Sequence, residues 1–192
     1  MKKILIATNN KGKLEELKNL LKEYEILSMK DVNCNIEVTE DGKTFEENAK
    51  KKAKEIYDIT KIPCIADDSG LCIDYFDGWP GIYTARFLGP NSTKEEINNY
   101  ILEKMKNLKD ENRNAEVKCV VAYYNGTDFI TGTGVIKGKI ALSKRGDNGF
   151  GYDEIFELEN GKTYAEISEE EKNKISHRRK AINELKIKLN KI

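Results

Sequence analysis

Residues 4–21 read ILIATNNKGKLEELKNLL, and this stretch decides the fold class. Ile4-Leu5-Ile6-Ala7 is a short apolar run carrying β-branched residues, the pattern of a buried strand. After it, Leu14, Leu17, Leu20 and Leu21 recur at three- and four-residue spacing, which makes one apolar helix face. A strand that passes directly into a helix opens an α/β chain.

Working outward, Thr44-Phe45-Glu46-Glu47 has the form of a capping box, with Thr44 capping and Glu47 reaching back. The helix it opens is expected to run to about Ile56 or Tyr57, with Phe45, Ala49, Ala53 and Ile56 inward. Pro63 closes the connection, and Cys64-Ile65-Ala66 reads as a second buried strand that terminates in Asp67-Asp68-Ser69-Gly70. Ser92-Thr93-Lys94-Glu95 reads as another capping box, before a helix with Ile97, Ile101, Leu102 and Met105 inward. Val117 to Tyr124 is a strand, Asn125-Gly126 a turn signal, and Phe129 to Ile136 pairs back. Ile155 to Leu158 and Thr163 to Ile167 flank a second candidate hairpin turn. The last helix carries Ala181, Ile182, Leu185 and Leu189 on one face. The whole reads as α/β, a mixed sheet with flanking helices, without repeats or linkers.

Composition bounds the function. The 192 residues hold 33 Lys+Arg against 33 Asp+Glu, so the net charge is zero. A neutral chain is poorly suited to gripping nucleic acid polymers, which demands excess cationic charge, or an anionic membrane surface. At 39% hydrophobic there is material for a core, enough for one domain or two intimate lobes. No apolar run approaches the roughly 18 residues of a membrane span, and the apolar stretch near the start is too short for a signal peptide. Cys34, Cys64, Cys72 and Cys119 show no C-x-x-C or metal-ligand spacing, so buried free thiols in a reducing, cytoplasmic setting are expected. A single histidine excludes a His-rich zinc site.

Chemistry concentrates in four segments. Thr8-Asn9-Asn10-Lys11-Gly12-Lys13 joins the first strand to the first helix, where unpaired N–H groups and a lysine make an anion site. An ordinary polar turn with Asn as the helix cap has the same appearance. Asp67-Asp68 sets adjacent carboxylates together, which repel unless solvated or neutralised by a cation such as Mg²⁺. Because an apolar strand delivers the pair, metal is favoured over a solvated turn, and Glu40 or Asp41 could add a ligand. Gly146 to Asp153 surrounds Phe150 and Tyr152 with glycines. A backbone of that kind can approach a ligand while a ring stacks on a base, although rings that simply pack would look alike. Lys172 through His177, Arg178 and Arg179 puts cations before the last helix, against its dipole, which mildly favours a functional over a merely solvated segment.

These segments together resemble the inosine/xanthosine triphosphate pyrophosphatase family, which hydrolyses non-standard purine nucleoside triphosphates. Thr8, Asn10 and Lys13 sit on its T-x-N-x-x-K motif, and residues 40–49, EDGKTFEENA, on its E-x-G-x-T-F-x-E-N-A segment. Residues 66–71, ADDSGL, and 80–86, PGIYTAR, follow in order, and residues 149–153, GFGYD, and 176–178, SHR, complete the set. Asn9 stands where many members have Gly, and Glu154 where Pro is common.

The resemblance implies one catalytic domain over residues 1–192, folded as two α/β lobes around a long mixed sheet with the site in a cleft between them, and a homodimer. It implies cleavage between the α- and β-phosphates to a monophosphate and pyrophosphate with Mg²⁺. By motif position Asp68 is the general base and a metal contact, and Glu40 the second metal contact. The loop Thr8, Asn9, Asn10, Lys11, Gly12 and Lys13 holds phosphates, and Ser69 and Lys172 touch the nucleotide. Phe150 stacks on the base within Gly151-Tyr152-Asp153, while Asp153, His177 and Arg178 read its edge. Two rivals differ in class: a Maf-like pyrophosphatase acting on modified pyrimidine nucleotides, and a nucleotide- or RNA-binding module without turnover. The neutral charge and the paired carboxylates weigh against the second.

Overall fold

A computed structural model describes residues 2–89 and 91–190. In chain order the elements are β1 (Lys3–Ile6), α1 (Lys11–Leu20), β2 (Glu25–Ser28), α2 (Phe45–Thr60), β3 (Cys64–Ile73), β4 (Trp79–Pro80) and α3 (Lys94–Met105). They continue as β5 (Asn114–Tyr124), β6 (Phe129–Ile140), β7 (Phe156–Glu157), α4 (Glu169–Ile175) and α5 (His177–Leu189). One seven-stranded mixed sheet runs β2-β1-β3-β5-β6-β7, with β4 also paired to β3. β1 pairs in parallel with both β2 and β3, whereas the β3–β4 and β6–β7 pairs are antiparallel. The α/β opening expected from residues 4–21 is therefore present.

The chain divides into two compact units. The first comprises Met1–Asp68, Cys119–Gly134 and Ser176–Ile192; the second comprises Ser69–Lys118 and Val135–Ile175. In the first unit, Leu17, Leu20 and Leu21 from the α1 region and Ala181, Ile182 and Leu185 of α5 bury against Ile4, Ile6, Ile65, Cys119, Val121 and Ile130. Contact between α5 and β6 is backbone-close. A Cβ on Gly132 would lie 2.1 Å from the Ala181 carbonyl oxygen, and one on Gly134 would lie 2.0 Å from that of His177. Two residues apart on a strand, these glycines share a face and leave room for the helix. In the second unit, Leu71 and Ile73 of β3 join Ile97, Ile101 and Met105 of α3 with Val117, Ile140 and Phe156. Arg113, 1% exposed, donates to the carbonyls of Met105, Ile140 and Ala141, satisfying acceptors at the end of α3 and beside the end of β6.

Several expected boundaries move. β3 does not stop before Asp67 but runs on to Ile73, because Leu71 and Ile73 return to the core after the polar residues. α2 extends to Thr60 and ends on Lys61 in the left-handed conformation. The α3 capping box is Thr93 with Glu96, one residue later than read. At α2, Thr44 caps as expected by accepting from the Glu47 N–H, but Glu47 reaches back to the Lys43 N–H at 2.6 Å. The second hairpin shrinks to the two-residue β7 and a single bridge from Glu157 to Thr163, and Tyr164–Glu166 turns as a 3-10 helix. Lys172 lies on a separate short helix, α4, ahead of α5.

Candidate active site

Side chains alternate across a strand, so Asp67 and Asp68 face opposite sides of β3. Asp67, 2% exposed, lies on the side of α1 and α5. Its Oδ2 accepts from Lys13 Nζ at 3.0 Å, Arg178 Nη2 at 3.1 Å and Arg178 Nε at 3.3 Å, with the Cys119 thiol at 3.9 Å. Arg178 Nη1 also binds Glu16 Oε2, and Ser176 Oγ donates to Glu16 Oε1 at 2.8 Å. Burial opposes ionisation of Asp67, but the charges of Lys13, Arg178 and Lys52 outweigh it and hold its carboxyl far below the ordinary range. Its Oδ1 is buried without a hydrogen-bond partner among the described residues. The same cluster disposes of the dipole conflict noted at α5. Arg178, 1% exposed at the helix start, is neutralised by two buried carboxylates.

Asp68, 4% exposed, faces α2. Asn48 and Lys52 are four residues apart on that helix, hence on one face. Asn48 Nδ2 donates to Asp68 Oδ2 at 2.9 Å, and Lys52 Nζ stands 3.8 Å from Asp68 Oδ1 and 2.8 Å from Glu40 Oε1. Asn48 also fixes the Glu40 loop, since its Oδ1 accepts from the Gly42 N–H at 2.8 Å. Gly42 is required there, because a Cβ would fall 2.6 Å from that oxygen. Burial raises the Asp68 pKa above its ordinary 3.8; Lys52 pulls against this and Glu40 adds to it. Asp41, the other acid of the loop, is exposed and paired with Lys51 at 2.6 Å.

The phosphate-loop candidates are ordered by local caps. Asn10 Oδ1 accepts from the Lys13 N–H at 3.0 Å, and Thr8 Oγ1 accepts from the Asn10 N–H at 3.2 Å. Asn9 and Lys11 are exposed, Gly12 is half-buried, and helix geometry leaves the Lys11 and Gly12 N–H groups without intrahelical acceptors.

In the second unit, Asp153 is 2% exposed, and its Oδ2 takes Lys172 Nζ at 2.6 Å and the Phe150 N–H at 2.7 Å. The Lys172 ammonium stands 4.4 Å from the centre of the Phe150 ring and 5.4 Å from that of Tyr164. Lys172 is thus grouped with the aromatic loop. Asn98 of α3, fully buried, donates to the Gly151 carbonyl at 3.1 Å and braces that loop. Tyr152 packs against the second core, and Ser69 is half-buried on β3. His177, 2% exposed, is the first residue of α5 in the first unit.

Sequence reading missed Glu16, Lys52 and Asn98, and quoted Asn48 within the motif of residues 40–49 without a role. Asn48 and Lys52 carried a signal, because they interrupt the inward α2 stripe of Phe45, Ala49 and Ala53 with polar groups at helical spacing. Glu16 follows Lys13 by one turn. Asn98 showed only as a polar residue beside Ile97.

Among the described residues, no group of three or more His, Cys, Asp and Glu side chains is arranged to hold a metal ion. The pair Glu40 and Asp68 nevertheless fits Mg²⁺, which commonly takes one or two carboxylates and completes its shell with water and phosphates. The Lys52 ammonium is a stand-in cation on both carboxylates.

The Ham1 family profile matches residues 4–188. A dITP/XTP pyrophosphatase of Clostridium perfringens is 44% identical, over 97% of this chain and 96% of its own. One from Geobacter sulfurreducens is also 44% identical, over 97% and 96%. Among solved structures, the Staphylococcus aureus Ham1 protein superimposes with a TM-score of 0.87 at 39% identity, over 98% of both chains. A Ham1 protein from Coxiella burnetii gives 0.88 at 37% identity, over all of both. The ordered motifs, the sheet topology and these likenesses agree: the chain belongs to the Ham1 family.

Proposed function

We propose that this protein hydrolyses non-standard purine nucleoside triphosphates, dITP, ITP and XTP, to the monophosphate and pyrophosphate, keeping them out of DNA and RNA. The observation that carries the reading is the division of the adjacent carboxylates. One oxygen of Asp67 is held by both Lys13 and Arg178, while Asp68 carries a raised pKa next to a cation position. Neighbouring acids whose environments push their pKa values apart mark an acid–base assignment.

Asp68 is the general base. A carboxylate with a raised pKa is a stronger base than an ordinary one and accepts a proton from water more readily. Glu40 and Asp68 would hold Mg²⁺, which supplies charge neutralisation on the phosphate oxygens and orientation of the reacting groups. Lys13, presented by Asp67, joins Thr8, Asn9, Asn10, Lys11 and Gly12 in holding phosphates. Ser69 contacts the nucleotide. Phe150 offers the stacking face, held in place by the Asp153 carboxylate on its own N–H and by Lys172 beneath its ring. Asp153, His177 and Arg178 read the base edge. Donors aimed at a 6-oxo group reject adenine, whose 6-amino group would set donor against donor at a cost of about 1–3 kcal/mol.

The two units act as a single catalytic domain. A cytoplasmic setting accords with four free cysteines and with the lack, among the described residues, of a helix long and apolar enough to cross a membrane. A homodimer accords with Tyr75 and Tyr83 of the second unit, each 53% exposed. Pyrophosphate release with Mg²⁺, measured over dITP, ITP, XTP, dATP, dGTP and modified pyrimidine triphosphates, tests the function. The expected kcat/KM for dITP exceeds that for dATP by about 10- to 100-fold, the ratio that a penalty of about 1–3 kcal/mol gives. Equal turnover of dITP and dATP would sink the purine-specific reading, and preference for a modified pyrimidine would replace it.

A further inference from the structure

Lys52 is held where ammonium groups are seldom kept. Its side chain is 13% exposed, and it projects from the middle of α2 toward Glu40 and Asp68, which are 27% and 6% exposed. Its contacts are to Glu40 Oε1 and Asp68 Oδ1, oxygens of the two carboxylates that fit a divalent cation. Asn48 secures the other oxygen of Asp68, so Oδ1 is the one that meets the cation. An ammonium and a divalent ion cannot occupy one carboxylate pair, since like charges a few ångströms apart in a partly desolvated site repel strongly. A lysine on a flexible four-carbon stem can withdraw, provided that it finds another anion.

We infer that Lys52 is an internal counterion filling the divalent-metal position of the nucleotide-free enzyme, and that it must leave Glu40 and Asp68 before the metal enters. This rests on the metal-assisted reading given above. The consequence is an order of events. Divalent metal alone binds weakly, because it must strand a buried ammonium. Metal accompanied by a nucleoside triphosphate binds well, because the phosphates become the new partner of Lys52. The carboxylate pair thereby keeps a cation at every stage, first the chain's own and then the metal.

Mn²⁺ titration of the full-length, nucleotide-free protein, followed by the electron paramagnetic resonance signal of free Mn²⁺, tests this directly. Lys52→Met is expected to bind Mn²⁺ more tightly than wild type by on the order of 10–100-fold, within the span of coupling between groups in direct contact. Lys52→Arg, which keeps a cation, is expected to stay as weak as wild type. An α,β-methylene analogue of dITP should raise Mn²⁺ affinity in wild type and do much less in Lys52→Met. Lys52→Gln provides a second neutral variant if Lys52→Met does not fold, with circular dichroism as the check. Equal Mn²⁺ affinity of wild type and a folded neutral variant without nucleotide overturns the inference while leaving the function intact. No Mn²⁺ binding by any form, with pyrophosphate release unaffected by chelator, instead overturns the metal-assisted reading and the inference with it.

Discussion

The two faces of β3 at Asp67 and Asp68 differ in what they do with the same chemical group. On the α1 and α5 side, one oxygen of Asp67 is crowded by Lys13 and Arg178, and Glu16 and Ser176 back the guanidinium from behind. On the α2 side, Asp68 accepts from the Asn48 amide and faces the Lys52 cation at 3.8 Å. The first carboxylate is locked as an anion and spends its charge on architecture. The second keeps a raised pKa, and so retains basicity for chemistry. A one-residue step along a strand is enough to separate the two roles, because the pleat delivers neighbours to different helices.

The sharpest way to break this comparison is to neutralise each acid in turn. Asp68→Asn is expected to lose about 10²–10⁴-fold in kcat, the usual weight of a general base, with a smaller loss of Tm than Asp67→Asn. The smaller loss follows from the geometry, since Lys52 keeps Glu40 at 2.8 Å when Asp68 is replaced, whereas Lys13 and Arg178 both lean on Asp67. Thermal melting alongside pyrophosphate release measures both. Asp67→Asn is expected to do the reverse, destabilising the fold by about 3–5 kcal/mol as Arg178 and Lys13 lose their buried partner. Urea unfolding followed by circular dichroism gives that number.

A smaller effect should come from the support beneath Arg178. Gly134→Val puts a side chain where the α5 backbone lies, and a cost of about 1–3 kcal/mol is expected, the range for overpacking. The smallest effect is in the pH profile of stability. Because the Asp67 pKa is depressed in the fold, its contribution is complete above the unfolded value of about 3.9 and fades as the pH falls below it. Between about pH 5 and 2, the stability of Asp67→Asn should therefore fall less steeply than that of wild type. Parallel curves would mean that Asp67 carries no such charge-locking role.

Much of this was legible in the chain. Residues 4–21 announce the α/β opening, and the inward stripes of α2 and α5 predict which residues bury, save Leu189 near the end of α5, which is only partly covered. The turn-forming letters of Asp67-Asp68-Ser69-Gly70 hid the continuation of β3, since the local preference reads as a stop until Leu71 and Ile73 are credited with returning to the core. That error concealed the alternation that separates the two acids. The Arg178–Glu16 pair spans 162 residues, and no local pattern announces it. Gly132 and Gly134 read as ordinary strand residues because their purpose lies in the helix that packs on them. Asn48 and Lys52 were open to notice, as polar residues on an apolar helical face, but only the fold shows that both converge on Asp68.

The most direct test of the central claim is the single-turnover rate of dITP cleavage at saturating Mg²⁺ and nucleotide for folded Asp67→Asn and Asp68→Asn. The division of labour predicts that Asp68→Asn loses at least about 10²-fold in that rate, while Asp67→Asn, once saturated, stays within roughly tenfold of wild type because its carboxylate holds Lys13 and Arg178 and takes no proton. Equal loss of the chemical step in both variants would contradict it.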